Sequence, residues 1–198
     1  MPSGRIRNRG HLPHWETGRG IYFVTFRLAV SLPQTVLRKL LQAEQAKPVE
    51  ERRLASQVED YLDSGAGSCC LFRPEIAGLV ADALRKFDGI RYRLLAWCVM
   101  PNHVHAVFQP NKKFELAGIL HSWKSFTALE INRRLSRTGA FWQKEYYDHL
   151  IRDGDQLDRA IAYTAENPAR AKLKDWPFVY VSAEAFGGGS RVDVAGER

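Results

Sequence analysis

Trp97-Cys-Val-Met-Pro-Asn-His-Val-His-Ala-Val-Phe108 is the stretch on which the fold turns. It joins two β-rich runs, Arg91 to Met100 and Val104 to Phe108, through Pro101-Asn102, a pair suited to a hairpin turn or bulge. Alternate side chains of a strand share a face, so His103 and His105 project together while Val104 turns to the opposite side. A hairpin with one polar and one apolar face needs partners on both sides, and the flanking sequence supplies them.

Upstream, Ile21-Tyr-Phe-Val-Thr-Phe-Arg-Leu28 is rich in β-formers and predicts a strand ending near Pro33. Ile76, Leu79, Val80, Ala83, Leu84 and Phe87 recur at helical spacing, with Pro74 near the start and Gly89 as the stop. Downstream, Leu116 to Leu135 predicts a long helix with Leu116, Ile119, Leu120, Trp123, Phe126 and Leu129 inward. Phe141 to Leu150 reads as extended or irregular. A last helix is capped by Asp155 and runs to Asn167, because Pro168 disfavours helical geometry in the residue before it. This order of elements implies a layered α+β domain with an antiparallel sheet. Residues 1–19 read as a basic arm and 20–180 as the single domain. Residues 38–70 read as a helical insertion, highly charged and broken at Pro48, and 181–198 as a loose, Gly-rich tail.

With 198 residues, 45% of them hydrophobic and 11% aromatic, the chain has material for a real core, which argues against wholesale disorder. Its net charge of +7 favours a polyanionic partner. The excess is concentrated in Arg5, Arg7 and Arg9 of the arm, and in Lys112, Lys113, Lys124, Arg133 and Arg134 on and before the long helix. These are the candidate phosphate contacts, although lysines and arginines on a helix equally form a solvated face. Three cysteines, two of them adjacent, give neither a disulfide framework nor a zinc-ribbon spacing, which fits a reducing, cytoplasmic setting. The basic N-terminus has no apolar stretch of a signal peptide, and no segment is apolar enough to span a membrane.

Two imidazoles about 6–7 Å apart along a strand can reach one cation. On the last helix, Leu157, Ile161 and Thr164 form the buried stripe, and Tyr163 and Asn167 lie one turn apart on its shoulder. The carboxamide can be a third hard ligand and the phenol can stand beside whatever the metal polarises. On spacing alone, ordinary boundary packing for Tyr163 and a helix-end role for Asn167 are the favoured explanation of the pair. A phenol, with a pKa near 10, needs help to attack at neutral pH. A divalent cation on a phosphodiester supplies it, and covalent attachment stores the broken bond for later transfer.

At these residues the chain resembles a family. Pro101-Asn-His-Val-His105, Phe141-Trp-Gln143, His149-Leu-Ile-Arg-Asp153 and Tyr163-Thr-Ala-Glu-Asn-Pro168 stand in the order found in REP-associated tyrosine transposases, a branch of the single-tyrosine HUH transposases of bacterial insertion sequences. His11-Leu-Pro-His-Trp-Glu16 followed by Tyr22-Phe-Val-Thr-Phe-Arg27 is similar to one subgroup. The resemblance covers roughly residues 10–180. It implies a ferredoxin-like α+β fold, a central antiparallel sheet flanked by helices, with Mg²⁺ or Mn²⁺ on His103 and His105. It implies cleavage of single-stranded DNA bearing palindromic hairpins, with Tyr163 as the nucleophile, a 5′-phosphotyrosine intermediate and a free 3′-OH. It places Asn167 where relatives offer a polar third ligand. It leaves a monomer or a homodimer open.

Several rivals remain. Tyr146 and Tyr147 compete as nucleophile, Glu166 competes as ligand, and His149 fits either an assisting role or a simple hydrogen bond. A hairpin DNA- or RNA-binding protein that has lost cleavage, a zinc hydrolase and a relaxase-type nickase are the competing functions.

Overall fold

A computed structural model of the chain describes residues 5–9, 12–16, 20–29 and 68–186. Strands β1 (Arg5–Arg9) and β2 (Leu12–Glu16) form an antiparallel hairpin of their own, paired from Arg5 with Glu16 to Arg9 with Leu12. The main sheet holds β3 (Ile21–Arg27), β4 (Tyr92–Val99), β5 (His103–Pro110), β6 (Tyr147–Ile151) and β7 (Val179–Val181). Helices α1 (Pro74–Arg85), α2 (Leu116–Arg134), α3 (Gly154–Arg170) and the short α4 (Ala183–Phe186) complete it. Strand order is β6-β3-β5-β4-β7, every neighbour antiparallel. Without the edge strand β7, this is the strand–helix–strand–strand–helix–strand arrangement of a ferredoxin-like domain.

The two faces of the sheet differ in chemistry because the pleat sorts alternate residues. Tyr22, Val24, Phe26, Val104, Ala106 and Phe108 pack with α1 and α2 into the larger core. There the Trp123 indole N–H donates to the Tyr92 hydroxyl (2.9 Å), which donates to the Leu84 carbonyl (2.7 Å), so neither buried polar group is wasted. The opposite face carries Phe23, Val107, Leu95 and Ala96 beneath Ile161 and Leu157 of α3. A bulge between Leu94 and Ala96 interrupts the β4 alternation and places both Leu95 and Ala96 in this second cluster.

The hairpin around Pro101-Asn102 and both early helices lie where the sequence predicts them. Gly89, at φ +75°, closes the turn after α1 in a conformation that suits glycine. Five expectations need correction. Residues 1–19 are not simply an arm, since they hold the β1–β2 hairpin. On α2, Phe126 and Leu129 point outward, 53% and 68% exposed; Thr127 and Ile131 take the inward positions, because the buried stripe steps 116, 120, 123, 127, 131. Asp153, not Asp155, caps α3: its carboxylate accepts from the Gln156 backbone N–H (2.8 Å) and from the Gln156 side-chain amide (2.7 Å). The helix continues through buried Pro168 to Arg170, and the Pro168 and Asn167 carbonyls accept from Leu173 and Ala171 in the closing turn. The tail begins later than residue 181, because Val181 ends β7 and α4 follows. The helical insertion expected at 38–70 lies outside the described residues apart from its last three positions, where a 3-10 turn begins at Cys70. No described helix is long and apolar enough to cross a membrane.

Candidate metal and nucleophile site

His103 and His105 stand in the central strand β5, opposite Arg27 and Thr25 of β3. Both imidazoles are buried, 1% and 0% exposed. Their Nε2 atoms face each other 2.8 Å apart. The other nitrogen of each ring is held from behind. His103 Nδ1–H donates to Asn102 Oδ1 (2.6 Å), and His105 Nδ1 shares a 2.8 Å hydrogen bond with the Thr25 hydroxyl. An amide oxygen only accepts, so neutral His103 keeps its proton on Nδ1 and presents a lone pair from Nε2. With Thr25 accepting in the same way, both Nε2 lone pairs converge on one point. Backing of this kind fixes the tautomer and orientation of a metal-ligating histidine.

Electrostatics favour the same state. Burial pushes His105 down to about 3 and His103 well below its ordinary value, the latter helped by neighbouring His105 and Arg27. Both rings are therefore neutral at pH 7, the form that binds cations.

Helix α3 brings the phenol. The Tyr163 ring meets His105 edge-on at 5.3 Å between centroids, and meets Phe23 edge-on at 5.8 Å. Phe23 also stacks on His105 at 5.5 Å, so the three rings pack against one another as a triangle. One turn along, Asn167 is fully buried on the same side of the helix; its Oδ1 receives no hydrogen bond from the described residues, although the side chain makes other contacts. Glu166 is exposed and faces away. No three of His, Cys, Asp and Glu cluster as a metal site among the described residues, so a third ligand drawn from those residues would be of another type. Two ligands about 2.1 Å from one ion at a right angle are about 3 Å apart, close to the spacing of the two Nε2 atoms. The residues present fit a divalent cation.

The rivals separate by face. Tyr146 packs against the larger core on the far side of the sheet, with the Lys124 ammonium 5.5 Å from its ring. Tyr147 pairs with Thr25 in register, so it shares the face of the histidines and meets Phe23 edge-on at 6.4 Å. His149 hydrogen-bonds Gln156 (3.2 Å), the simpler of its two expected roles. Two residues were not singled out from the sequence. Arg170 places its guanidinium 5.3 Å from the Tyr163 ring centroid, and the seven-residue spacing on one helix was the available clue. Thr25 could be found only through strand pairing, which the sequence does not reveal.

The basic candidates on α2 and in the turn before it do not converge on this site. Lys112, Lys113, Arg133 and Arg134 are exposed, on α2 and in the turn before it; α2 covers the opposite face of the sheet. Arg133 pairs with Glu130 at 3.0 Å. Lys124 donates to the Lys144 carbonyl (2.7 Å), and burial lowers its pKa to about 8. The backbone around Arg5, Arg7 and Arg9 is strand β1.

Residues 74–167 match the family described as "Transposase IS200 like". The chain is also similar to REP-associated tyrosine transposases. A curated relative of that name from Haemophilus influenzae is 27% identical over 101 residues, 44% of this chain and 57% of that protein, so the chain matches little more than half of the relative's length. The solved structure of a REP-associated tyrosine transposase bound to a REP hairpin shares the fold, with a TM-score of 0.50 and 16% identity, covering 87% of this chain and 81% of that one.

Proposed function

We propose that this protein cleaves and transfers single-stranded DNA bearing palindromic hairpins, through a phosphotyrosine formed on Tyr163, with Mg²⁺ or Mn²⁺ held by His103, His105 and Asn167. The observation that carries the reading is the contact of the Tyr163 ring with His105, whose Nε2 faces that of His103 across 2.8 Å. The relative whose structure was solved with a REP hairpin supports hairpin DNA as the substrate class.

In this reading the cation, when bound, draws charge from the scissile phosphate and stabilises the charge that develops there. Everything else falls to the chain. Asn102 and Thr25 keep the imidazoles aimed, and helix α3 holds the phenol against them. The Tyr163 oxygen forms a bond to phosphorus and the bond to the departing 3′-oxygen breaks. The phenol proton passes to solvent and the 3′-oxygen takes up a proton as it leaves. The 5′ end stays on the enzyme, where a second 3′-hydroxyl can displace Tyr163 by the reverse step. Arg5, Arg7, Arg9, Lys112, Lys113, Lys124, Arg133 and Arg134 would hold phosphates away from the reacting one.

The test is cleavage of hairpin-bearing single-stranded DNA with Mn²⁺ and with chelator. Cleavage that requires the metal, and falls at least about 100-fold in His103→Ala and in His105→Ala, is the expected result. Tight hairpin binding without cleavage at any metal concentration would leave a binding protein of the same fold.

A further inference from the structure

Among the described residues Arg27 has no counter-ion. It ends β3 directly opposite His103, and residues paired in this way share a face of the sheet, so its side chain enters the face that carries both imidazoles. Among the described residues no carboxylate pairs with it, and its Nε is buried without a hydrogen-bond acceptor. The backbone carbonyl of Arg27 is engaged by the Gln143 backbone N–H, which fixes the strand end. Burial costs the charge enough to lower its pKa to about 10, and its field acts on His103.

A guanidinium held beside a two-imidazole pocket is a poor arrangement for cation binding alone, because like charges repel strongly where water is scarce. It becomes favourable once an anion lies between the guanidinium and the cation. A fork of N–H donors matches two phosphate oxygens, a geometry that lysine cannot reproduce. We propose that Arg27 is a phosphate-binding residue of this site, donating to the non-bridging oxygens of the scissile phosphodiester and stabilising the negative charge that grows there during attack by Tyr163. This rests on the cleavage reading for its substrate. The anion subsite itself does not, since any phosphate group would satisfy it.

The experiment separates the two. Calorimetry on the full chain loaded with Mn²⁺ measures the affinity for inorganic phosphate, and a separate titration measures the affinity for Mn²⁺. Arg27→Gln is expected to weaken phosphate binding at least tenfold while Mn²⁺ affinity stays within about threefold or improves. The rate of covalent attachment to hairpin DNA should fall about 100-fold in Arg27→Gln, and by less in Arg27→Lys, which keeps the charge but not the fork. Where Arg27→Gln does not fold, Arg27→Lys carries the test through the same two titrations. Phosphate affinity unchanged in the folded variant overturns the proposal. Wild-type protein that binds phosphate through Arg27 yet never attaches to DNA would leave the anion subsite standing and remove the cleavage reading.

Discussion

At the scale of single residues, the site depends on groups that touch no substrate. Thr25 is the clearest. Its hydroxyl is the only described partner of His105 Nδ1, and outer partners of metal-bound histidines commonly matter 10–100-fold in metal affinity. Thr25→Val should therefore weaken Mn²⁺ binding by about that factor at nearly constant side-chain volume; an unchanged dissociation constant would mean that the ring needs no support. The buried imidazoles also set an acid limit. Burial lowers both folded-state values, so below about pH 6.5 the unfolded chain takes up protons that the metal-free native state refuses. Stability is accordingly full above that pH and declines as the pH falls, for His105 until about pH 3, with His103 acting in the same direction. Urea unfolding of the chelated protein at pH 7 and pH 5 measures this, and His105→Gln should flatten the difference. The two histidines were legible in the sequence because a strand has a fixed two-residue period. Their tautomers were not, because these depend on Thr25, eighty positions away in the chain.

At the scale of elements, α3 is the part that turns two histidines into a candidate reaction centre. Its start is fixed by Asp153 and Gln156. Asp153→Ala should cost about 1 kcal/mol, measured by thermal or urea unfolding. The cap was readable, since an acceptor followed three residues later by Gln marks a capping box, but Asp155 competed for the same role. Ile161 anchors the middle of the helix against Phe23 and Val107. Ile161→Ala should cost about 2–4 kcal/mol and slow attachment of DNA to Tyr163 more than it weakens Mn²⁺ binding, because it loosens the helix and leaves the strand intact. Elsewhere the hydrophobic period was a weaker guide. A three-residue step admitted Phe126 and Leu129 to the inward face of α2, whereas the observed stripe follows four-residue steps to Thr127 and Ile131. Thr127 is paired there with its own helix and with the Trp142 indole, a use that hydrophobicity does not register. The β1–β2 hairpin escaped notice because alternating arginines look like a solvated arm, although only Gly10 and His11 separate the paired runs.

On the scale of the whole molecule, the cations of α2 and the candidate reaction centre occupy opposite sides of the sheet. The paired imidazoles and Tyr163 lie between the sheet and α3, while the exposed cations of α2 lie across the sheet. A strand that reaches both must wrap an edge of the sheet. Positive charge remote from the reacting phosphate contributes affinity and salt dependence, not chemistry. Lys112→Ala with Lys113→Ala should lower the slope of log affinity against log salt by about 1 per charge removed, with little change in attachment rate at saturating DNA. A loss of rate at saturation would place these lysines beside the reaction. The order of elements and the layered α+β class were legible because each strand and helix has its own period and punctuation, whereas the ferredoxin-like arrangement was implied only by the family resemblance. Which face α3 covers was not, since that choice is made by packing between residues distant in sequence.

The central claim is that Tyr163, set against a two-imidazole cation site, is the residue that takes the DNA. It is tested most directly by digesting the covalent complex formed with hairpin-bearing single-stranded DNA in Mn²⁺ and locating the nucleotide by mass spectrometry. The account predicts one modified peptide, with the nucleotide on Tyr163 and no complex in Tyr163→Phe. A nucleotide on Tyr147 or Tyr146, or a complex that persists in Tyr163→Phe, would contradict it.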